Sequence, residues 1–90
     1  MYDKTPETKS TGKSTTSERL KEIMQETGYR QADIIKRAEP FFDKIGTTLK
    51  RNDISQYCSG ISIPRQGKLT LMSLALGVSE VWLMGYDVPR

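Results

Sequence analysis

Apolar residues in this chain recur at spacings of three and four, and glycines or prolines separate the segments that carry them. Leu20, Ile23 and Met24 form one such stripe, and Leu69 with Met72 begins another. This spacing places side chains on one face of an α-helix, whereas a strand requires apolar and polar residues to alternate. No segment of the sequence alternates in that way. We therefore predict an all-α fold, and 90 residues suffice for only one small domain.

Capping residues set the predicted helix boundaries. Ser17 is expected to open the first helix and Gly28 to end it, and the second helix is predicted from Gln31 to Ala38. Three further helices are expected: one opened by Asn52, one closed by Gly77 and one opened by Ser79. Together these elements predict a compact domain of five to six helices, with an extended segment, residues 39–51, before the helix that Asn52 opens.

The chain divides into three parts by composition. Residues 1–16 are rich in Thr, Ser, Lys and Gly, which predicts a disordered basic arm. Residues 17–86 carry the apolar periodicity and form the predicted domain. Residues 87–90 resemble the start of a linker, and we expect oligomerisation to depend on a C-terminal domain beyond this sequence. Within residues 39–51, Phe42 and Ile45 are expected to pack inward from a short helical turn that ends at Gly46.

The stretch from Lys50 to Ser59 predicts a helix with two different faces. Its inward face would carry Ile54, Tyr57 and Cys58, at spacings of three and four. Its outward face would carry the hydrogen-bonding side chains of Ser55, Gln56 and Ser59. One face anchors the helix and the other is free to bind, as in a recognition helix laid into a DNA major groove. An ordinary short surface helix is the alternative that this stretch alone leaves open.

Positive charge is concentrated around this stretch. The formal net charge of the chain is only +3, but residues 44–68 alone carry five cationic side chains against one acidic one, a net charge of +4. Lys50 and Arg51 precede the predicted helix, and the N-terminus of a helix itself attracts anions. DNA phosphates would therefore be bound at this end of the helix.

Residue types that the chain lacks exclude whole classes of function. The sequence contains no histidine and one cysteine, Cys58. Without histidine, Ser-His-Asp triads, Cys-His pairs and the common zinc sites cannot form, so we expect neither an enzyme nor a bound cofactor or metal. Cys58 is expected to be a small buried apolar residue. No apolar stretch approaches the ~20 residues that span a bilayer, so a cytoplasmic protein without membrane contact is expected.

The chain carries four characteristic stretches: Gln31-Ala32-Asp33-Ile34, Asp53-Ile54-Ser55-Gln56-Tyr57, Gly60 with Pro64, and Leu74-Ala75-Leu76-Gly77-Val78-Ser79. Together they resemble the lambda-repressor-like (Cro/CI, XRE-type) helix-turn-helix family over about residues 17–86. The long segment 39–51 and the ending Trp82-Leu83-Met84-Gly85-Tyr86-Asp87-Val88-Pro89 are similar to the N-terminal DNA-binding domain of CI-type repressors of temperate phages of Gram-positive bacteria.

This resemblance implies a sequence-specific double-stranded DNA-binding domain of a phage transcriptional repressor, which occupies operators, blocks promoters and so controls lysogeny. It also implies a location at the bacterial nucleoid and a small antirepressor protein that masks the DNA-reading surface. The alternative is an antitoxin-like or regulatory helix-turn-helix module that acts mainly through protein–protein contacts. Two departures, Ile35 in place of a small residue and segment 39–51 in place of a short turn, fit a wider helix pair than is usual in the family.

The expected DNA-binding residues are Arg30, Gln31, Lys50, Arg51, Asn52, Asp53, Ser55, Gln56, Ser59 and Lys68. Four of them would hold phosphates at helix starts: Arg30, Gln31, Lys50 and Arg51. Four would face base edges: Asn52, Asp53, Ser55 and Gln56. Gln56 is the best candidate to read adenine through its amide, and Asp53 could accept from a cytosine amine. Lys68 lies at a helix start, where the dipole disfavours a cation, which suggests an external anion.

Overall fold

The computed structural model describes residues 14–90, and in this range the chain is all-helical, without strands. Its elements are α1 (Thr16–Thr27), α2 (Gln31–Ala38), a 3-10 turn (Glu39–Phe41), α3 (Phe42–Ile45), α4 (Arg51–Ser59), α5 (Gln66–Leu76) and α6 (Glu80–Leu83). None of the helices in residues 14–90 has the length and apolar character needed to cross a bilayer. Most of the predicted arm, residues 1–13, lies outside the described range.

One hydrophobic core joins these helices. Its fully buried large side chains are Leu20, Ile34, Leu49, Ile54, Leu71, Met72 and Leu83. α5 lies at the centre, because six of its side chains are buried and it packs against α2, α3 and α6. α4 packs against α1 and α2 and so lies at the edge of the core. One face of α4 therefore remains in contact with solvent.

Two predicted helix starts were wrong, each by two residues. α1 begins after Thr15, whose hydroxyl accepts a hydrogen bond from the Glu18 backbone N–H, while the Glu18 carboxylate accepts one from the Thr15 N–H. This reciprocal capping box stabilises the earlier start over one at Ser17. α4 begins after Lys50 rather than Asn52, because the Asp53 carboxylate accepts a hydrogen bond from the Lys50 N–H at 2.9 Å. The bounds of α2, and the ends of α1 and α5 at Gly28 and Gly77, are confirmed.

Residues 39–45, which precede α4, form a 3-10 turn and the short helix α3. After the 3-10 turn, α3 ends at Gly46, which has a positive φ of 85°. Phe42 and Ile45 are half-buried against the core, as predicted from the sequence, and Leu49 is buried just before α4 begins. Leu49 therefore fixes the point from which Lys50 and Arg51 emerge at the surface.

The end of the chain, where residues 87–90 were predicted to begin a linker, contacts α1 through Arg90. Arg90 forms ion pairs with Glu22 and Glu26, and its carbonyl accepts a hydrogen bond from the Ser79 N–H at 2.9 Å. The hydrogen bond from Arg90 lowers the pKa of the Glu26 carboxyl below its usual value. The guanidinium carbons of Arg19 and Arg90 both lie over the Trp82 ring, 4.6 and 4.7 Å from its centroid. These contacts hold the last residue of the chain against α1 and α6.

Candidate nucleic-acid interface

α4 has the two-sided character that the sequence predicts. Ile54 is fully buried and Tyr57 is 7% exposed, so both anchor the helix in the core. On the other side, Arg51, Asn52 and Ser55 are exposed. Because residues four apart lie above one another on a helix, Arg51, Ser55 and Ser59 share one outward stripe, with Asn52 beside it. The structure therefore brings a cation and several hydrogen-bonding groups to one solvent-facing surface, which we call the α4 outer face (Arg51, Asn52, Ser55, Gln56 and Ser59).

The starts of α2 and α4 are built in the same way. In each, a basic residue precedes the first turn, and an aspartate three residues later accepts its backbone N–H. The pairs are Arg30 with Asp33, at 2.8 Å, and Lys50 with Asp53, at 2.9 Å. An aspartate at this position interacts favourably with the helix dipole. Because it binds the backbone of the basic residue, the basic side chain is free to extend into solvent. Both helices thus present a cation beside an N-terminus.

The predicted phosphate contacts remain available for an external anion. Within residues 14–90, no carboxylate lies within ion-pair distance of Arg30, Lys50 or Arg51, and all three side chains are exposed. Gln31 is the first residue of α2 and is half-buried. Uncompensated cations at helix N-termini form the kind of surface that binds phosphate.

Asp53 and Lys68 bind each other instead of facing outward. The Lys68 ammonium lies 3.2 Å from the Asp53 carboxylate and also donates to the Thr48 carbonyl. The same Asp53 oxygen accepts from the Lys50 N–H. Each side chain keeps about a quarter of its surface exposed. The pair therefore ties the start of α4 to the start of α5, and this internal contact replaces the external anion that we inferred for Lys68.

Gln56 is half-buried at the edge of the α4 outer face, and Ser62 orients its amide. The Ser62 hydroxyl donates to Gln56 Oε1 at 3.3 Å. This contact uses one acceptor position of Oε1 and leaves a second one, together with the Nε2 hydrogens, for other partners. The Ser59 hydroxyl donates to the Gln56 carbonyl at 3.1 Å and so keeps its own acceptor capacity. Sequence reasoning missed Ser62, because nothing in the residue pattern indicates that the loop after α4 returns to Gln56.

The side chains on the inner face of α4 pack against the core. Burial raises the pKa of the Cys58 thiol, and its sulfur lies 3.8 Å from the Met24 sulfur. Burial also raises the pKa of the Tyr57 hydroxyl, with a smaller contribution from the Asp53 charge. The Ser17 hydroxyl donates to the Cys58 carbonyl and ties α1 to α4. Cys58 packs against the core as predicted, but it is half-buried rather than fully buried.

Comparisons with known proteins do not assign this chain to a family. No protein-family model matches it, and no curated protein matches it either. The residues and geometry of the α4 outer face are therefore the basis for assigning a function.

Proposed function

We propose that this chain is the sequence-specific DNA-binding domain of a transcriptional repressor of the phage CI type, with a lambda-repressor-like helix-turn-helix formed by α2 and α4. The observation that carries the proposal is the two-sided character of α4: its apolar face is fixed in the core, while its polar face, which includes the exposed Arg51, lies on the opposite side of the helix. A helix of nine residues fits the major groove of B-DNA, which is about 12 Å wide. Occupation of an operator and control of lysogeny follow from the sequence resemblance.

Within this proposal, the contacts divide by chemistry. Arg30, Lys50 and Arg51 neutralise phosphates and set the position of the domain along the duplex, with Gln31 assisting through its amide. Asn52, Ser55, Gln56 and Ser59 read base edges by hydrogen bonding. Asp53 and Lys68 act indirectly, by holding the start of α4 in place. A small antirepressor would act by covering the same outer face.

A selection experiment tests the proposal. The 90-residue chain is incubated with a random duplex library, and the most enriched duplex, here called the selected duplex, is compared with a scrambled one by fluorescence anisotropy. Specific binding by such domains typically exceeds non-specific binding by ~10³-fold or more. Enrichment of a defined sequence is the expected result. Equal affinity for the selected and scrambled duplexes, or no binding to either, would refute the proposal and favour the protein-interaction alternative.

Replacing Arg51 with alanine should weaken binding to the selected and scrambled duplexes alike. Three cations on phosphates predict a slope of log K against log salt of about −3, and the loss of one should reduce its magnitude by about 1. Anisotropy titrations at several salt concentrations measure this slope. Lys36→Ala is the matched control, since this exposed lysine lies in the last turn of α2 and not at a helix start. An unchanged slope would show that Arg51 does not contact a phosphate.

The same titration tests Lys68. Because its ammonium is bound by Asp53 and Thr48, Lys68→Ala should leave the salt slope at its wild-type value. A slope whose magnitude falls by about 1 would instead show that Lys68 contacts a phosphate.

A further inference from the structure

Two isoleucines after α4 are far more exposed than any other large apolar side chain in residues 14–90. Ile61 exposes 78% of its surface and Ile63 exposes 82%, whereas Val81, the next most exposed, reaches 47%. Burial of apolar surface is favourable, so large apolar side chains that a fold leaves in water together mark a candidate contact site. Ile61 and Ile63 are here called the isoleucine pair.

The loop that carries the isoleucine pair is held against α4. The N–H groups of Ile61 and Ser62 both donate to the Gln56 carbonyl, at 3.0 and 3.4 Å. The Ser62 hydroxyl bonds to the Gln56 side chain, and Pro64 is buried. These contacts fix the backbone of the loop relative to the α4 outer face, so the isoleucine pair is presented at a defined place.

Ile61 does not pack against the helix that precedes it. Gly60 and Ile61 complete the hydrogen-bonding pattern of a Schellman motif, in which the residue after the glycine usually packs on the last turn of the helix. Ile61 occupies that position, but the facing helical residue is the polar Gln56 and Ile61 stays in solvent. The apolar side chain is therefore available to a partner.

We propose that the isoleucine pair contacts thymine C5-methyl groups of the duplex bound by α4, which extends sequence reading beyond the helix to its C-terminal side. This inference rests on the proposed function. The thymine methyl is the apolar group that the major groove displays, and apolar side chains recognise it by direct contact. Hydrogen-bonding groups of α4 and methyl-sensing groups of the loop would then read neighbouring base pairs.

Charge favours DNA over a protein as the occupant. Arg65 follows the isoleucine pair in the same loop and is exposed, and Arg51 is exposed on the α4 outer face. The surrounding segment, residues 44–68, has a net charge of +4. A partner drawn to this region should be strongly anionic while offering small apolar groups, and a thymine-containing duplex combines both properties.

Replacement of thymine by deoxyuridine tests the inference, because it removes only the methyl group. The 90-residue wild type and the Ile61→Ala/Ile63→Ala double variant are titrated with the selected duplex and with the same duplex carrying deoxyuridine at every thymine. Loss of a buried methyl contact should weaken wild-type binding about fourfold for each methyl. The double variant should bind the thymine duplex more weakly than wild type and should discriminate less between the two duplexes. Val81→Ala, which shortens an exposed apolar side chain on α6, should keep the wild-type ratio.

The outcomes separate this inference from the proposed function. If the wild type selects a duplex but binds its thymine and deoxyuridine forms equally, the inference is overturned and the proposed function stands. A double variant that keeps the wild-type ratio also overturns it. If the wild type selects no duplex, the proposed function and this inference fall together.

Discussion

Ile54→Ala is expected to destabilise the domain more than any substitution on the outer face of α4. Ile54 is fully buried at the point where α4 meets the core. Truncating a buried isoleucine to alanine typically costs ~2–5 kcal/mol, from lost burial and from the cavity that remains. Small domains have a total stability of only ~5–15 kcal/mol, so this loss should lower the melting temperature by about 10 °C or more. Thermal unfolding followed by circular dichroism measures it.

Ser55→Ala is the matched control for this prediction. Ser55 is the next residue along the same helix and is exposed, so its replacement should change stability by no more than ~0.5 kcal/mol. The variants should also differ in binding: Ile54→Ala should lose DNA affinity only in proportion to its unfolded fraction. If Ile54→Ala unfolded at the wild-type temperature, α4 would not be anchored as described.

Gln56→Ala should relax the choice of base at one position of the DNA site. The Gln56 amide lies at the edge of the outer face, and its Ser62 hydrogen bond leaves groups that can donate to adenine N7 and accept from adenine N6. Loss of a bidentate contact of this kind costs ~1–3 kcal/mol of discrimination against the wrong base. Competition titrations with the selected duplex, substituted one base pair at a time, should show one position at which the variant no longer prefers adenine.

A matched glutamine and a matched duplex control this measurement. Gln25→Ala removes an exposed glutamine from α1 and should leave base preference unchanged. On a scrambled duplex, Gln56→Ala should bind as wild type does, since its contact carries sequence information only. Equal losses on the selected and scrambled duplexes would remove Gln56 from the base-reading set.

Local patterns in the sequence predicted the helices well because their causes are local. The bounds of α2 follow from its apolar spacing. Gly28 and Gly77, which both adopt a left-handed backbone conformation, end α1 and α5 as expected. The start of α4 was misplaced because Asn52 is intrinsically a better cap than Lys50. In the structure, the Asp53 carboxylate bonds the Lys50 N–H and compensates for the weaker cap.

Contacts between distant residues account for what the sequence could not predict. Asp53 was expected to face bases because the sequence does not show that Lys68, fifteen residues later, would reach its carboxylate. In the same way, Arg90 has no local reason to pair with Glu22 and Glu26 across the domain. Helical periodicity alone determines which side chains of α4 face outward, so their placement on one face could be predicted from the sequence.

An NMR titration of the ¹⁵N-labelled 90-residue chain with the selected duplex tests most directly whether the outer face of α4 meets DNA. The largest amide shift changes are expected from Arg51 to Gln56 and at the start of α2, from Arg30 to Asp33. The amides of α6, which packs against α1 and α5, should change little. Shift changes centred on α6, with those of α4 left at their free positions, would contradict the account.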